Sequence, residues 1–362
     1  MKIKGRYITA NLKGKRTIVV SDIHGELELF NALLSKVDYS EEDILIINGD
    51  IIDKGQNSLG VLRKVMKLLE RDNVYLIEGN CDIIFEQLEE EWLYPYMSRI
   101  HTVIHECLKE MGKSINDFPT QKDLKVALYE KYSKERLALL DLPIALETED
   151  FIFVHAGVNE VGNYKETLEW DAITMQRFAE KSHTSEKMVV VGHIPVSNYH
   201  ENGMLDHRTL IDNGKRIISI DGGNQVKQSG VLNALVITYD EDEYRIETTF
   251  VHPFEMREVI QDFEVSYQEP HAFTWPDFEI EVFDGDEHFK MAKHLKTDTD
   301  FMVKTEWIIE REGKNYLRDD YTDLFIDVYI GESVAIIGDY KGYAYVLKDG
   351  VAGWVPNEVF GM

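Results

Sequence analysis

Cysteine is nearly missing from this chain: 362 residues contain two, Cys81 and Cys107. That excludes a disulfide framework and points to a reducing compartment. Long apolar runs are also missing, and no stretch nears the roughly 18 residues that a membrane-spanning helix requires. Met1–Gly14 alternates charged and apolar residues without the apolar core of a secretory signal. Positive charge is scarce, with 39 basic against 66 acidic residues and a formal charge of −27. Such a surface repels polyanions, so neither nucleic acid nor an anionic membrane is expected as a partner. The expected location is the cytoplasm.

What is present is a series of short runs dense in Val and Ile: Thr17–Val20, Ile44–Ile47, Val74–Ile77, Phe151–Val154, Met188–Val191 and Ile217–Ile220. Continuous apolar runs of this length predict strands covered on both faces. Between the first three lie Glu26–Lys36 and Leu59–Glu70, where apolar residues return every three or four positions, as in Leu27, Phe30, Leu34 and Leu62, Val65, Met66, Leu69. The order is βαβ and the class α/β. A Glu-, Lys- and Leu-rich block at about 85–140 predicts an inserted group of helices, a candidate cap. Composition places a domain boundary near Gln268, dividing 1–267 from a β-rich 268–362. The stretch at about 325–362, with Lys348-Asp349-Gly350-Val351-Ala352-Gly353-Trp354-Val355-Pro356, resembles a bacterial SH3-like barrel. Trp354 and Tyr343 are its candidate exposed aromatics.

Most of these runs end in residues able to bind metal or phosphate: Ser-Asp22-Ile-His24-Gly, Asn-Gly-Asp50-Ile-Ile-Asp53-Lys54-Gly, Glu-Gly-Asn80-Cys81-Asp82, Val-His155-Ala-Gly and Val-Gly-His193-Ile-Pro. Loops at the carboxyl ends of neighbouring strands converge on one crevice. A lone Asp-x-His or Gly-Asp arises readily by chance, but five such strand ends in succession do not.

In order and residue type these motifs resemble the calcineurin-like metallophosphoesterase superfamily over roughly the first 250 residues. The similarity is greatest to its serine/threonine phosphatase and diadenosine-tetraphosphatase branch. The resemblance implies a β-sandwich flanked by helices (αββα). It also implies a pair of divalent ions: Asp22 and His24 on one, Asn80, His155 and His193 on the other, and Asp50 bridging both. Physics agrees on the bridge, since two ions about 3.5–4 Å apart need a shared anionic oxygen. Carboxylate, imidazole and amide ligands without thiolate favour Mn²⁺, with Fe or Zn²⁺ as alternatives. A hydroxide bridging the ions would then attack phosphorus in line, with no phosphoenzyme. Asp53 is expected to orient a ligating His by hydrogen bonding, and a helix-capping role competes with this.

Three departures from the branch stand out. Cys81 occupies the place of the His that, paired with an acid here represented by Asp82, protonates the leaving oxygen. A thiol is a poor proton donor at neutral pH, so leaving groups stable as anions are favoured over alkyl oxygens. Replacing Cys81 with His should accordingly aid alkyl monoesters more than aryl ones. A nucleophilic Cys81 is rejected, because no loop of glycines and Arg follows it to cradle phosphate. Lys54 replaces a phosphate-gripping Arg, keeping the charge and losing the two-pronged fork. No Arg follows Glu169-Trp170-Asp171 before Arg177, the remaining phosphate-binding candidate. Pro195 stands where many phosphodiesterases of the superfamily have a second His. Asp221-Gly222-Gly223-Asn224 reads as a glycine turn, and His101 and His105 as surface residues that could also reach the site as a surrogate proton donor.

The leading expectation is a metal-dependent hydrolase of a phosphate ester or anhydride, acting on a phosphorylated small molecule or a phosphoprotein. The competing one is a catalytically weakened scaffold that recruits a protein partner through its SH3-like domain.

Overall fold

The computed structural model describes residues 6–199, 203–241 and 243–361. The chain divides into two compact units. The first comprises Met1–Ile194, Thr209–Gln225 and Leu232–Val251, and the second Pro195–Arg208, Val226–Val231 and His252–Met362. Among the described residues no helix is long and apolar enough to cross a membrane.

The first unit opens with β1 (Tyr7–Thr9), β2 (Thr17–Val20), α1 (Leu27–Lys36), β3 (Ile44–Ile47), α2 (Ser58–Leu68) and β4 (Val74–Leu76). The inserted helices follow as α3 (Leu93–Met97), α4 (Val103–Glu110), α5 (Gln121–Lys131) and α6 (Ser133–Leu139). Next come β5 (Ala145–Glu147), β6 (Phe151–Val154), α7 (Glu169–Thr174) and β7 (Met188–Val191). After them are β8 (Leu205–Asp206), which belongs to the second unit, β9 (Leu210–Asp212), β10 (Ile217–Ser219), β11 (Leu232–Asp240) and β12 (Glu243–Val251). Two sheets result, with strand orders β12-β11-β2-β3-β4 and β1-β5-β6-β7-β10-β9.

Strand alternation divides the apolar residues between two layers. Val19, Ile44, Ile46, Leu235 and Ile237 share one core with Leu146, Phe151, Phe153, Val190 and Ile218 of the other sheet. Ile18, Val20, Leu45 and Ile47 face the opposite way, into a core with Phe30, Leu33, Leu62 and Val65 of α1 and α2. Each such side chain stabilises the fold by about 1.5–3 kcal/mol on burial. The helical insertion joins this second core through Leu93, Val103, Ile104, Cys107, Leu124, Leu128 and Tyr132. It is therefore packed structure and not a free cap.

At the end of β5 the Glu147 carboxylate pairs with Lys187 Nζ at 2.7 Å and Lys165 Nζ at 2.6 Å, and accepts a bond from Tyr164 Oη at 2.8 Å. Burial alone would raise its pKa, but these hydrogen bonds outweigh burial and hold it at about 2. A depressed carboxyl stabilises the fold above its unfolded pKa, and that contribution disappears as pH falls through the folded value. Glu147→Gln is expected to cost about 1–2 kcal/mol at neutral pH after discounting for solvent screening. In urea titrations the gap between variant and parent should close between about pH 4.5 and pH 2. A gap constant across that range would refute the assignment.

The second unit continues with β13 (Glu255–Glu258), β14 (Ala272–Phe273), β15 (Glu279–Gly285), β16 (Phe289–His294), β17 (Thr299–Lys304), β18 (Ile308–Arg311), β19 (Lys314–Leu317), β20 (Tyr321–Thr322), β21 (Ser333–Tyr340), β22 (Tyr343–Lys348) and β23 (Val351–Pro356). Its sheets run β13-β21-β22-β23-β8 and β17-β16-β15-β19-β18, with β14 and β20 paired separately. The boundary expected near Gln268 is corrected, because β13 and the distant β8 are edge strands of the same sheet as the C-terminal hairpins. Trp354 is corrected too. It is fully buried, donates from Nε1 to Thr322 O at 2.8 Å, and packs against Trp307, Tyr345 and Tyr321. Tyr343 is half-buried against Phe289.

Candidate active site

The strand ends of the first unit are tied to one another by main-chain hydrogen bonds. Asp22 N donates to Gly49 O at 3.1 Å, His24 N to Asp50 O at 3.0 Å and Gly192 N to His155 O at 2.8 Å. The turns are tight enough that Asp22, His24, Asp50, Asp53, Lys54 and His193 all adopt positive φ, between 47° and 71°. Each non-glycine residue in that region costs on the order of 1 kcal/mol, and such strain gathers at functional sites. Two glycines are required sterically. A Cβ on Gly49, itself at φ +87°, would stand 2.6 Å from His155 Nδ1, and one on Gly192 would stand 2.2 Å from Asp22 Oδ2.

Asp50 is central. Its Oδ1 accepts from Cys81 N at 2.8 Å and lies 3.5 Å from His155 Nε2; its Oδ2 lies 3.8 Å from His24 Nε2. Two groups of donor atoms, Asp22–Asp50–His155 and His24–Asp50–Cys81, each fall within 4.8 Å, and Asp50 belongs to both. Asn80 Oδ1 is 3.2 Å from His155 Nε2, and the His155 and His193 rings are 5.2 Å apart. All six residues expected to hold metal are thus brought together.

Backbone carbonyls set the direction of two imidazoles. A carbonyl can only accept, so the bond from His155 Nδ1 to Asn48 O at 2.9 Å fixes the tautomer and leaves Nε2 facing Asp50. His24 Nδ1 faces Ile52 O in the same way at 3.4 Å. Burial, with Lys54 adding to it, pushes the His24 pKa down to about 3; burial, with His155 adding, does the same for His193. Burial and the Asp50 charge raise Asp22 to about 7. Asp50 moves downward although burial opposes it, because His155, His24 and Lys54 surround it.

Several expectations need correction. Asp53 touches no ligating His: its Oδ1 accepts from Val103 N at 2.8 Å, at the first turn of α4, and backbone carbonyls do the orienting instead. Asp82 is not a free acid partner, since its carboxylate accepts from Asp50 N at 2.9 Å, Ile51 N at 3.0 Å and Gly79 N at 3.0 Å. It shapes the turn that presents Asp50. The Arg177 guanidinium is paired with Glu180, Nε to Oε2 at 2.7 Å. Its neighbour Gln176 is the residue that reaches the site, donating from Nε2 to His193 Nε2 at 3.1 Å. His105 accepts from Thr102 N at 3.1 Å at the start of α4 and is occupied there.

Lys54 and Cys81 complete the pocket. Lys54 Nζ donates to His24 Nε2 at 2.8 Å and stands 4.0 Å from Asp50 Oδ2. Burial disfavours its charge, but Cys81, Asp50, Asp22 and Asp221 more than offset this and its pKa rises. The Cys81 thiol is pushed well above its ordinary value by burial and by Asp50. Asp221 was read only as a turn, yet it is buried, lacks a hydrogen-bond partner at Oδ2, and shares a field with Asp22 and Lys54. An acid directly after the Ile217–Ile220 run was the available signal.

These residues fit divalent ions. Asp22 Oδ1 is buried without a hydrogen-bond partner, the imidazole lone pairs face inward, and Asp50 offers one oxygen to each side. The chain is 27% identical over 203 residues to an asymmetrical bis(5'-nucleosyl)-tetraphosphatase of Bacillus velezensis, covering 49% of this chain and 77% of that one. It is 28% identical over 159 residues to a symmetrical bis(5'-nucleosyl)-tetraphosphatase of Glaesserella parasuis, covering 44% and 47%. A solved chain provisionally named a diadenosine tetraphosphatase aligns at 18% identity and TM-score 0.46, over 69% of this chain and 99% of that one. Residues 15–220 match the model of the calcineurin-like phosphoesterases. With that match on top of this geometry, the chain belongs to the calcineurin-like phosphoesterase family, hydrolases of phosphoric esters and anhydrides.

Proposed function

We propose that the chain hydrolyses phosphoanhydrides of the dinucleoside polyphosphate kind, using Asp22, His24, Asp50, Asn80, His155 and His193 to hold two divalent ions. The observation that carries this is the Asp50 carboxylate, which presents Oδ1 to His155 Nε2 at 3.5 Å and Oδ2 to His24 Nε2 at 3.8 Å. When bound, such ions polarise phosphoryl oxygens and supply a hydroxide at neutral pH. The six residues offer oxygen and nitrogen donors, which favours Mn²⁺. Lys54, its charge stabilised by Asp50 and Asp22, is placed to attract the substrate phosphate as a single-point donor. The Asn80 amide oxygen lies 3.2 Å from His155 Nε2.

Substrate class follows from Cys81. A thiol is a weaker general acid than the imidazolium whose place it takes, and burial weakens it further, so oxygens stable as anions depart best. A nucleoside phosphate leaving from an anhydride meets that condition, as does a nitrophenolate. With Mn²⁺ added, a dinucleoside tetraphosphate and p-nitrophenyl phosphate are expected to turn over at least about tenfold faster than a phosphoserine peptide. Two bound ions with no turnover of any of these substrates would overturn the proposal and favour the scaffold reading.

A further inference from the structure

We propose that a cleft lying wholly within the second unit binds a nucleoside phosphate, its base stacked on Trp275 and its phosphate held by Arg311 and Lys296. This site does not depend on the hydrolysis proposed above.

The cleft encloses about 690 Å³, within the roughly 300–1,000 Å³ typical of small-molecule sites. Its floor is the outer face of the sheet β17-β16-β15-β19-β18. Leu295 N donates to Glu279 O at 3.1 Å and Glu279 is in register with Tyr316, so these three residues stand side by side on neighbouring segments. Side chains alternate along a strand, and the opposite face, with Ile280, Ala292 and Leu317, is buried. Arg311 follows Ile309, the partner of Tyr316, by two positions and so rises from the same outer face.

Trp275 forms the wall. It is 60% exposed although its main chain is fixed: Trp275 N donates to Asp320 Oδ1 at 3.1 Å, and the buried Asp320 carboxylate is paired with Lys227. Two residues on, Asp277 O accepts from His294 Nε2 at 2.9 Å. An indole left in water on a pinned backbone is a stacking platform whose ordering cost is already met.

The charge of the cleft is opposite to that of the chain, whose formal charge is −27. Lys296, Arg311 and Arg318 line it against Asp277 and Glu279. Glu279 is already paired with Lys314 Nζ at 2.7 Å. Arg318 is held by neutral groups only, donating to Tyr340 Oη at 3.0 Å and Gln228 Oε1 at 3.3 Å over the Trp307 ring. Lys296 and Arg311 pair with no carboxylate among the described residues. Free cations beside an exposed indole suit a ligand with an anionic end and a flat ring, and the Arg fork matches phosphate oxygens. An extended peptide fits less well. The floor strands β15, β16 and β19 are each paired on both sides, so they have no free backbone edge for another strand to join.

The test titrates AMP into the full-length chain by calorimetry, at low ionic strength and in EDTA, which keeps divalent ions from holding phosphate in the first unit. AMP is expected to bind at least about tenfold more tightly than adenosine or inorganic phosphate. Trp275→Ala and Arg311→Ala should each weaken AMP by about tenfold or more. Asp277→Asn removes the one unpaired carboxylate and should tighten AMP by about threefold, a gain that misfolding cannot imitate. AMP binding no tighter than inorganic phosphate, or unchanged in Trp275→Ala and Arg311→Ala, would overturn the assignment. So would binding of a glutamate-rich aromatic peptide by a chain that does not bind AMP, which would make the cleft a protein-docking groove.

Discussion

Asp50→Asn is expected to abolish hydrolysis and to empty both ion positions together, with kcat/KM falling by at least about 10³-fold. The side chain has two jobs that an amide cannot share. Its Oδ1 must accept the Cys81 N–H at 2.8 Å, which keeps the amide oxygen on that side. The NH2 would then face His24 Nε2, 3.8 Å from the present Oδ2, and the Lys54 ammonium at 4.0 Å, a donor set against a cation where an anion stood. Losing the charge also removes the attraction that stabilises Lys54. Metal analysis after gel filtration, beside a melting curve, checks this: His24→Ala should lose roughly one ion and Asp50→Asn both. An Asn variant that keeps two ions and measurable turnover would sink the shared-bridge assignment.

Asp82→Asn has the largest expected effect on stability, about 3 kcal/mol, although Asp82 touches no substrate. One of its oxygens serves Ile51 N while the other serves both Asp50 N and Gly79 N. An amide nitrogen placed on either side sets donor against donor in a site that is 1% exposed. Burial and the Asp50 charge raise the Asp82 pKa, opposed by the three N–H groups, so its carboxyl is held at a cost that removal of the acceptors does not recover. Chemical denaturation should show the loss, and ion affinity should weaken with it because the Asp50 turn relaxes. A variant within about 0.5 kcal/mol of the parent would show that this turn needs no such support.

The amino-terminal half was legible because its strands are continuous apolar runs bounded by polar turns. Thr17–Val20, Ile44–Ile47, Phe151–Val154 and Met188–Val191 appear as expected, and α1 and α2 begin within a residue or so of the periodic segments. β1 and β5, three residues each, escaped notice because strands that short have no period to detect. The second unit was misdivided because β8 joins its sheet from a position about fifty residues before β13 begins, and composition near Gln268 has no knowledge of strand pairing.

Within the site the division is similar. Residue type and place at strand ends designated Asp22, His24, Asp50, Asn80, His155 and His193, because a metal requires those donor atoms and few other residues provide them. The same reasoning left Asp53 between orienting a histidine and capping a helix, and took Asp82 for an acid partner, since a carboxylate that binds backbone N–H groups looks identical in sequence to one that binds a proton or an ion. It passed over Gln176 and Asp221, whose significance comes from what they face.

The sequence by itself determined the chemistry on offer: an acidic chain with six clustered donors and a thiol where a proton donor would serve. Only the tertiary structure decided how those groups act. Positive-φ turns aim the donors, backbone carbonyls choose the imidazole tautomers, and bonds from Val103 N to Asp53 and from Lys54 N to His101 O clasp an insertion to the Asp50–Lys54 turn. The reason is physical. Donor identity is a property of a side chain, whereas direction, protonation and field depend on atoms that approach through space from elsewhere in the chain.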